Sequence, residues 1–187
     1  MTNESLPPSH FPVLCVDLDG TLIDGDVSVQ TFFMMLRVNP LRIFPAIRWF
    51  LQGGRARMKR EIARRVPLDP ATLAYRPSVM AFLQGERAQG RKLVLATASD
   101  QIYADVIALH VGIFDETLGS DGLTSLSSHR KRDALLKRYG KYSYMGNSHA
   151  DLEVWREAEE AIAVATPARV LRQLEGFKKP ALIFPQT

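Results

Sequence analysis

The stretch VLCVDLDGTLIDG, residues 13–25, decides how the chain is read. Four apolar residues of strand character run straight into two aspartates one residue apart, Asp17 and Asp19, followed by Gly20 and Thr21. Carboxylates at i and i+2 of a strand point the same way, and glycine at position 20 permits a turn that swings the second over the first. Left unpaired, the two would repel and one would stay protonated. Mg2+ removes the conflict, because this hard cation takes carboxylates, carbonyls, water and phosphate oxygens. The plainer alternative for D-x-D-G-T is an acidic turn. What argues against that alternative is the company the motif keeps further along the chain.

Working outward, apolar runs at 12–17, 92–96 (KLVLA), 142–145 and 161–165 (AIAVA) read as strands, the last run as the final strand. Between them, 101–110 carries Ile102, Val106 and Leu109 at helical spacing and stops at Gly112. Likewise 129–139 carries Leu135, Leu136 and Tyr139 before Gly140, with Ser127 or Ser128 available as N-cap. Strands alternating with helices predict an α/β fold: a Rossmann-like, three-layer parallel sheet with right-handed crossovers. Ligands of such sheets bind beyond the carboxyl ends of the strands. Asp17 and Asp19 follow the first strand, Thr97 and Ser99 the second, and Gly146, Asn147, Ser148 and Asp151 the 142–145 strand. All are expected on one rim.

An insert interrupts this pattern after the first strand. Residues 28–66 are helical in character, punctuated by Pro40, Pro45 and Gly53-Gly54, and should form a helical cap over the rim. The expected organisation is a short lead at 1–11, a core of 12–23 and 79–180, a cap of 24–78 and a tail of 181–187. Residues 24–78 hold ten Lys/Arg against four acids, a net +6, whereas the whole chain is +4, so the remainder is −2. A basic lobe on a slightly acidic body suggests an anionic partner, against the plain alternative of a solvated basic face. Nucleic acid is not expected, since the basic residues follow no recognition module and the aromatics lie in an apolar block.

The remaining bulk properties narrow the class. A chain of 187 residues, 46% hydrophobic and 24% charged, is long enough for one good core and a small second lobe. The N-terminal MTNESLPPSHFP has no basic stretch leading into an apolar run, so no signal peptide is read there and the expected location is the cytoplasm. The single cysteine, Cys15, lies inside the first apolar run and reads as a small core residue.

Four motifs in order carry a resemblance to the haloacid dehalogenase superfamily, whose members are mostly phosphohydrolases. VDLDGTL resembles its first motif, LATAS (95–99) the second, HRKRDALL (129–136) the third and YMGNSHADL (144–152) the fourth, over about residues 12 to 166. The resemblance implies Asp17 as nucleophile, forming an aspartyl phosphate, and Asp19 as acid and base. It implies Thr97 and Lys131, with Gly20, as phosphate-binding residues; Arg130 or Arg132 replaces Lys131 if that helix is rotated. It implies Mg2+ as cofactor, held by Asp17, Asp19, Asn147 and Asp151. Asp19 favours phosphate chemistry over dehalogenation, which needs no second aspartate there. Phosphonate cleavage in relatives uses a cap lysine, and Lys59 is the one lysine of the insert; a surface or anion contact is the expectation for it.

One departure stands out: the fourth motif is normally G-D-x-x-x-D, and Asn147 fills its first acidic position. With one negative charge fewer the site should hold Mg2+ more weakly unless Asp151 compensates, and loss of catalysis is a further reading. His149, in the same loop, is expected to be solvated. The insert resembles the cap of the phosphoserine-phosphatase-like branch, a lobe that closes over the site and selects substrate. Its apolar residues, Phe32 to Leu36, Ile43, Phe44, Ile47, Trp49 and Phe50, read either as the cap's own core or as a face for a lipid chain or bilayer. The segments 53–63, 112–122 and 144–155 resemble the domain fused to ubiquinone-biosynthesis-type membrane prenyltransferases, which makes an isoprenoid phosphate or a linked phosphosugar a candidate substrate and a membrane prenyltransferase a candidate partner. The leading expectation is a Mg2+-dependent phosphomonoester hydrolase. The alternatives are a phosphotransferase or phosphomutase and a noncatalytic domain that binds a phosphorylated lipid or a membrane enzyme.

Overall fold

The computed structural model describes residues 12–179 and 181–185; the 1–11 lead lies outside them. Six strands form one sheet in the order β3-β2-β1-β4-β5-β6. They are β1 (Val13–Val16), β2 (Leu93–Asp100), β3 (Glu116–Ser120), β4 (Tyr142–Gly146), β5 (Ala161–Val164) and β6 (Ala181–Phe184), and every pairing is parallel. From β1 the chain steps out to β2 and β3, then returns past β1 to β4 and steps out the other way. This reversal opens a crevice at the carboxyl ends of β1 and β4. Val16 pairs with Leu95 on one side and Met145 on the other, so the residues after all three strands reach the same rim.

Each strand shows a different face to each helical layer, as the two-residue repeat of a strand requires. Leu14, Val16, Leu93 and Leu95 face α3 (Pro77–Ala88) and α4 (Gln101–Val111) through Val79, Leu83, Tyr103, Ala104 and Ile107. Cys15, Val94, Tyr142 and Tyr144 face α5 (His129–Tyr139), α6 (Leu152–Glu157) and α7 (Ala168–Glu175) through Leu135, Trp155 and Leu174. A central strand covered on both sides reads as an unbroken apolar run, and VLCV does.

The cap consists of α1 (Val27–Val38) and α2 (Ile43–Ala63), with a turn of 3-10 helix at Pro40–Arg42 between them. Asp26 caps α1, its side chain accepting from Val29 N at 3.0 Å. α2 breaks at Gly53 and Gly54, where Gly54 adopts φ +65° and ψ −160°, a conformation closed to residues with a side chain. A small core of Met35, Ala46, Ile62 and Val66 holds the cap together, with Phe32, Leu36, Trp49 and Met58 against it.

Three expectations change. The 181–187 tail is not all tail, because Ala181–Phe184 extends the sheet as β6 beyond the strand expected to be last. β3, an edge strand of sequence ETLGS with little apolar character, carries no clear strand signal. In α4 the buried residues are Tyr103, Ala104, Ile107 and Ala108, while Leu109 is 85% exposed and Val106 is also exposed. That helix is apolar around most of its circumference, so spacing alone does not say which side meets the sheet.

Candidate active site

Asp17 extends β1 by one residue, its amide donating to Met145 O at 2.9 Å. The chain then turns tightly, with the Leu22 amide reaching back to Leu18 O and Asp17 O. Gly20 sits in this turn at φ +76°, and a Cβ there would come within 2.0 Å of the Asn147 amide nitrogen. The positive φ calls for glycine, whereas the close contact is with the end of the Asn147 side chain, which can move aside. The turn carries Asp19 back over the rim. Its Oδ1 accepts from the Val27 amide at the start of α1 (2.7 Å) and its Oδ2 from the Ser99 hydroxyl (2.7 Å).

Lys131, in the first turn of α5, is 3% exposed and donates to Asp17 Oδ1 at 2.8 Å and to the Tyr144 hydroxyl at 2.7 Å. Tyr144 in turn donates to Asp151 Oδ1 at 2.7 Å. The other oxygen of Asp151 accepts from the amides of Asn147 (3.1 Å) and Ser148 (2.9 Å) and from the Ser148 hydroxyl (2.8 Å). Of the three adjacent cations only Lys131 faces Asp17: Arg132 pairs with Glu153 and Asp133, and Arg130 is exposed.

These residues line one cavity of about 270 Å3, with Asp17, Asp19, Asn147 and Asp151 from the core and Asp26 and Lys59 from the cap side. Lys59 is half-buried and donates to Ala98 O at 2.9 Å, which makes it a lining residue of the cavity and not merely a surface group. Thr97 stands at the rim fully buried, its hydroxyl accepting from the Ser99 amide at 2.9 Å; Ala98, next to it, lines the cavity. His149 is exposed, as expected. Ser99, expected on the rim, bonds Asp19 there, whereas Tyr144 carries no site signal in the sequence. Tyr144 looks like one more apolar strand residue until α5 places an ammonium against its hydroxyl, and no local pattern signals that.

The electrostatics are strained toward protonation. Burial pushes Asp17 up to about 7, Lys131 opposes the shift, and Asp151 adds to it. Burial also raises Asp19, with Asp26 contributing, against the hydrogen bonds from Val27 and Ser99. Burial alone would lower Lys131, but Asp17 and Asp151 raise it, so it stays an ammonium.

A divalent cation fits this cavity. Four carboxyl groups (Asp17, Asp19, Asp26, Asp151) share it with two ammonium groups (Lys59, Lys131), so that with all four ionised the negative charges exceed the positive by two. Among the described residues no three His, Cys, Asp or Glu side chains form a ready cage; a bound Mg2+ would complete its shell with water and phosphate oxygens. Asp17, through the oxygen not bonded to Lys131, and the Asn147 amide oxygen are the side-chain donors free to hold it. Asp151 has hydrogen bonds on both oxygens and is better placed to orient the Asn147–Ser148 loop and Lys131 than to bind directly.

A parallel α/β sheet with an acidic, Lys-anchored site at its switch point and a helical cap above it defines a recognisable class of hydrolase. Residues 14–156 match the haloacid dehalogenase-like hydrolase family, and the chain belongs to it. A curated relative, the uncharacterized protein y4nM of Sinorhizobium fredii, is 36% identical over 156 residues; the match covers 82% of this chain and only 30% of that protein's length. Among solved structures, a Bordetella pertussis Tohama I protein of unknown function superposes with a TM-score of 0.65 at 15% identity, covering 92% of this chain and 98% of its own. A substrate-bound phosphoserine phosphatase gives 0.61 at 11% identity, covering 94% and 93%. At these identities the likeness is one of fold.

Proposed function

We propose that the chain is a Mg2+-dependent phosphomonoester hydrolase working through an aspartyl phosphate. The observation that carries this reading is the buried Lys131–Asp17 pair at 2.8 Å, with Asp19 on the same cavity. Lys131, bonded to Asp17 Oδ1, orients the carboxylate so that one oxygen attacks phosphorus while the other would hold the metal. As the Asp17–phosphorus bond forms and the ester bond breaks, Asp19, whose proton affinity burial raises, gives a proton to the leaving oxygen. Asp19 then takes a proton from water as that water attacks phosphorus and releases phosphate from Asp17. Lys131 and Lys59 supply positive charge for the nonbridging oxygens, and Thr97 can serve only after its hydroxyl rotates toward the cavity. A bound Mg2+ would neutralise charge between Asp17 and the phosphate.

The substrate reading follows the cap. A groove of about 460 Å3, lined by Val29, Phe32, Phe33, Phe50 and Met58, shares Asp26 and Lys59 with the carboxylate cavity. It supports a phosphomonoester whose apolar portion, an isoprenoid chain among the candidates, lies between α1 and α2. A second reading, a phosphate-binding domain with little or no turnover, draws on Asn147 and on the fully bonded Asp151.

The test is phosphate release from an aryl phosphate and from alkyl phosphates of increasing chain length, with and without Mg2+. Metal-dependent turnover that Asp17→Asn abolishes, with KM falling as the chain lengthens, is the expected result. No turnover of any of these esters, with tight binding of an alkyl phosphate by both forms, would replace the enzyme by the binding domain. Product formation only when an alcohol acceptor is added would make it a phosphotransferase.

A further inference from the structure

Nine of the fourteen large apolar side chains exposed among the described residues lie within residues 29–51. They divide into two sets. Val29, Phe33 and Phe50 border the substrate groove. The others, from Met34 to Leu51, do not line it: Val38 is 74% exposed, Leu41 68%, Phe44 67% and Leu51 77%. Phe44, Ile47 and Leu51, spaced i, i+3, i+7, share one face of the first half of α2. The opposite face of the same helix packs Ala46 and Trp49 into the cap core. A helix apolar on both sides is normally covered on both sides, and here no described residue covers the outer one.

The charge around this face has one sign. Residues 27–60 contain seven Lys/Arg and no Asp or Glu. Arg37 and Arg48 are exposed and Arg42 half-buried, and none of the three is ion-paired with a described residue. The core behaves differently: Arg91, Arg132, Arg138 and Arg156 all meet glutamates. A protein-binding face depletes charge at its centre and has a polar rim. An apolar strip whose only charged neighbours in the sequence are arginines matches a surface with acyl chains beneath and phosphates above. Among the described residues no helix is long and apolar enough to cross a membrane, so contact would be made in the plane of the interface.

We propose that the outer face formed by the end of α1 and the first half of α2 seats on an anionic lipid bilayer, with Phe44, Ile47 and Leu51 entering the headgroup region and Arg37, Arg42 and Arg48 meeting lipid phosphates. This docking needs no catalysis and stands whether or not the hydrolase reading does. It would bring the substrate groove, on the same hairpin, to a surface where amphiphilic phosphates are concentrated.

Flotation of the chain with phosphatidylcholine vesicles, with and without phosphatidylserine, tests it. Binding to the phosphatidylserine vesicles, weakened by salt, is expected. The triple variant Phe44→Ser/Ile47→Ser/Leu51→Ser should bind at least about tenfold more weakly, and Arg37→Gln/Arg48→Gln should lose about fivefold per charge. All five positions are exposed, and circular dichroism melting checks that each variant is folded. Absence of binding to either vesicle, binding indifferent to phosphatidylserine, or binding unchanged in both folded variants would overturn the proposal. So would a dimer in solution that the triple variant dissolves, since a second copy would then be the occupant.

Discussion

At the scale of single residues the site divides into groups that local sequence can announce and groups it cannot. Asp17, Asp19 and Gly20 are legible because a strand, a turn and two charges fall within four consecutive residues, and the φ of +76° at position 20 shows why the turn takes a glycine. Tyr144 and Lys59 are not legible: one becomes polar in role only through Lys131 from α5, the other only because α2 bends it over Ala98. Two predictions belong here. Asn147→Asp adds a carboxylate at the free amide position and should tighten Mg2+ about tenfold or more, read by calorimetric titration of the metal alone. Unchanged affinity would mean that Asn147 does not hold the ion. Tyr144→Phe removes the hydroxyl that bridges Lys131 and Asp151 Oδ1, leaving the two 3.9 Å apart with no hydrogen bond between them. It should cost about 1–3 kcal/mol in urea unfolding, and hydrolysis should fall with it as Lys131 loses its second anchor. A variant as stable as the parent would mean that water replaces the hydroxyl.

At the scale of elements, the strands that place the site read clearly, since buried parallel strands are short apolar runs, whereas β3 and β6 lie at the edges of the sheet and carry weaker patterns. The cap's helices were legible, but which of its apolar residues form a core was not, because both α1 and α2 are apolar around more than one side. The break at Gly53-Gly54 is where the element can be tested. A Cβ on Gly54 would meet nothing within 4 Å, so any cost of Gly54→Ala comes from the backbone conformation alone, of order 1–3 kcal/mol. The two tryptophans report separately, Trp49 in the cap and Trp155 fully buried in the core. In the single-tryptophan forms, Gly54→Ala should move the Trp49 fluorescence transition to lower urea and leave the Trp155 transition in place. Equal shifts of both would mean that cap and core unfold together, coupled through Lys59–Ala98, the Arg60–Asp100 ion pair at 2.9 Å and the Tyr103 hydroxyl on Val66 O.

At the scale of the whole molecule, the sheet makes one interior in which everything at the rim depends on β1 staying between β2 and β4. Cys15 reports on that directly. It lies in the middle of β1, fully buried against the layer of Leu135, Tyr144 and Trp155, and burial pushes its thiol up to about 12, against smaller opposing effects of Lys131, Lys92 and Arg91. A thiolate forms there only when the central strand is exposed, so reaction with a thiol reagent should require global unfolding. The labelling rate should rise with urea at the slope measured for complete unfolding, and a shallower slope would identify a local opening beside Asp17. The pH dependence has a definite sign. Below about 9, the ordinary value, the thiol is protonated whether folded or not and contributes nothing. Between about 9 and 12 the unfolded chain releases the proton and the folded chain keeps it, so stability should fall steadily as pH rises through that window. Cys15→Ala removes the only thiol, and the part of the alkaline loss that comes from Cys15 should disappear with it. An alkaline slope identical in the variant would assign the loss to the tyrosines, of which Tyr75 and Tyr103 are also raised by burial to about 12 and Tyr142 and Tyr144 are raised further.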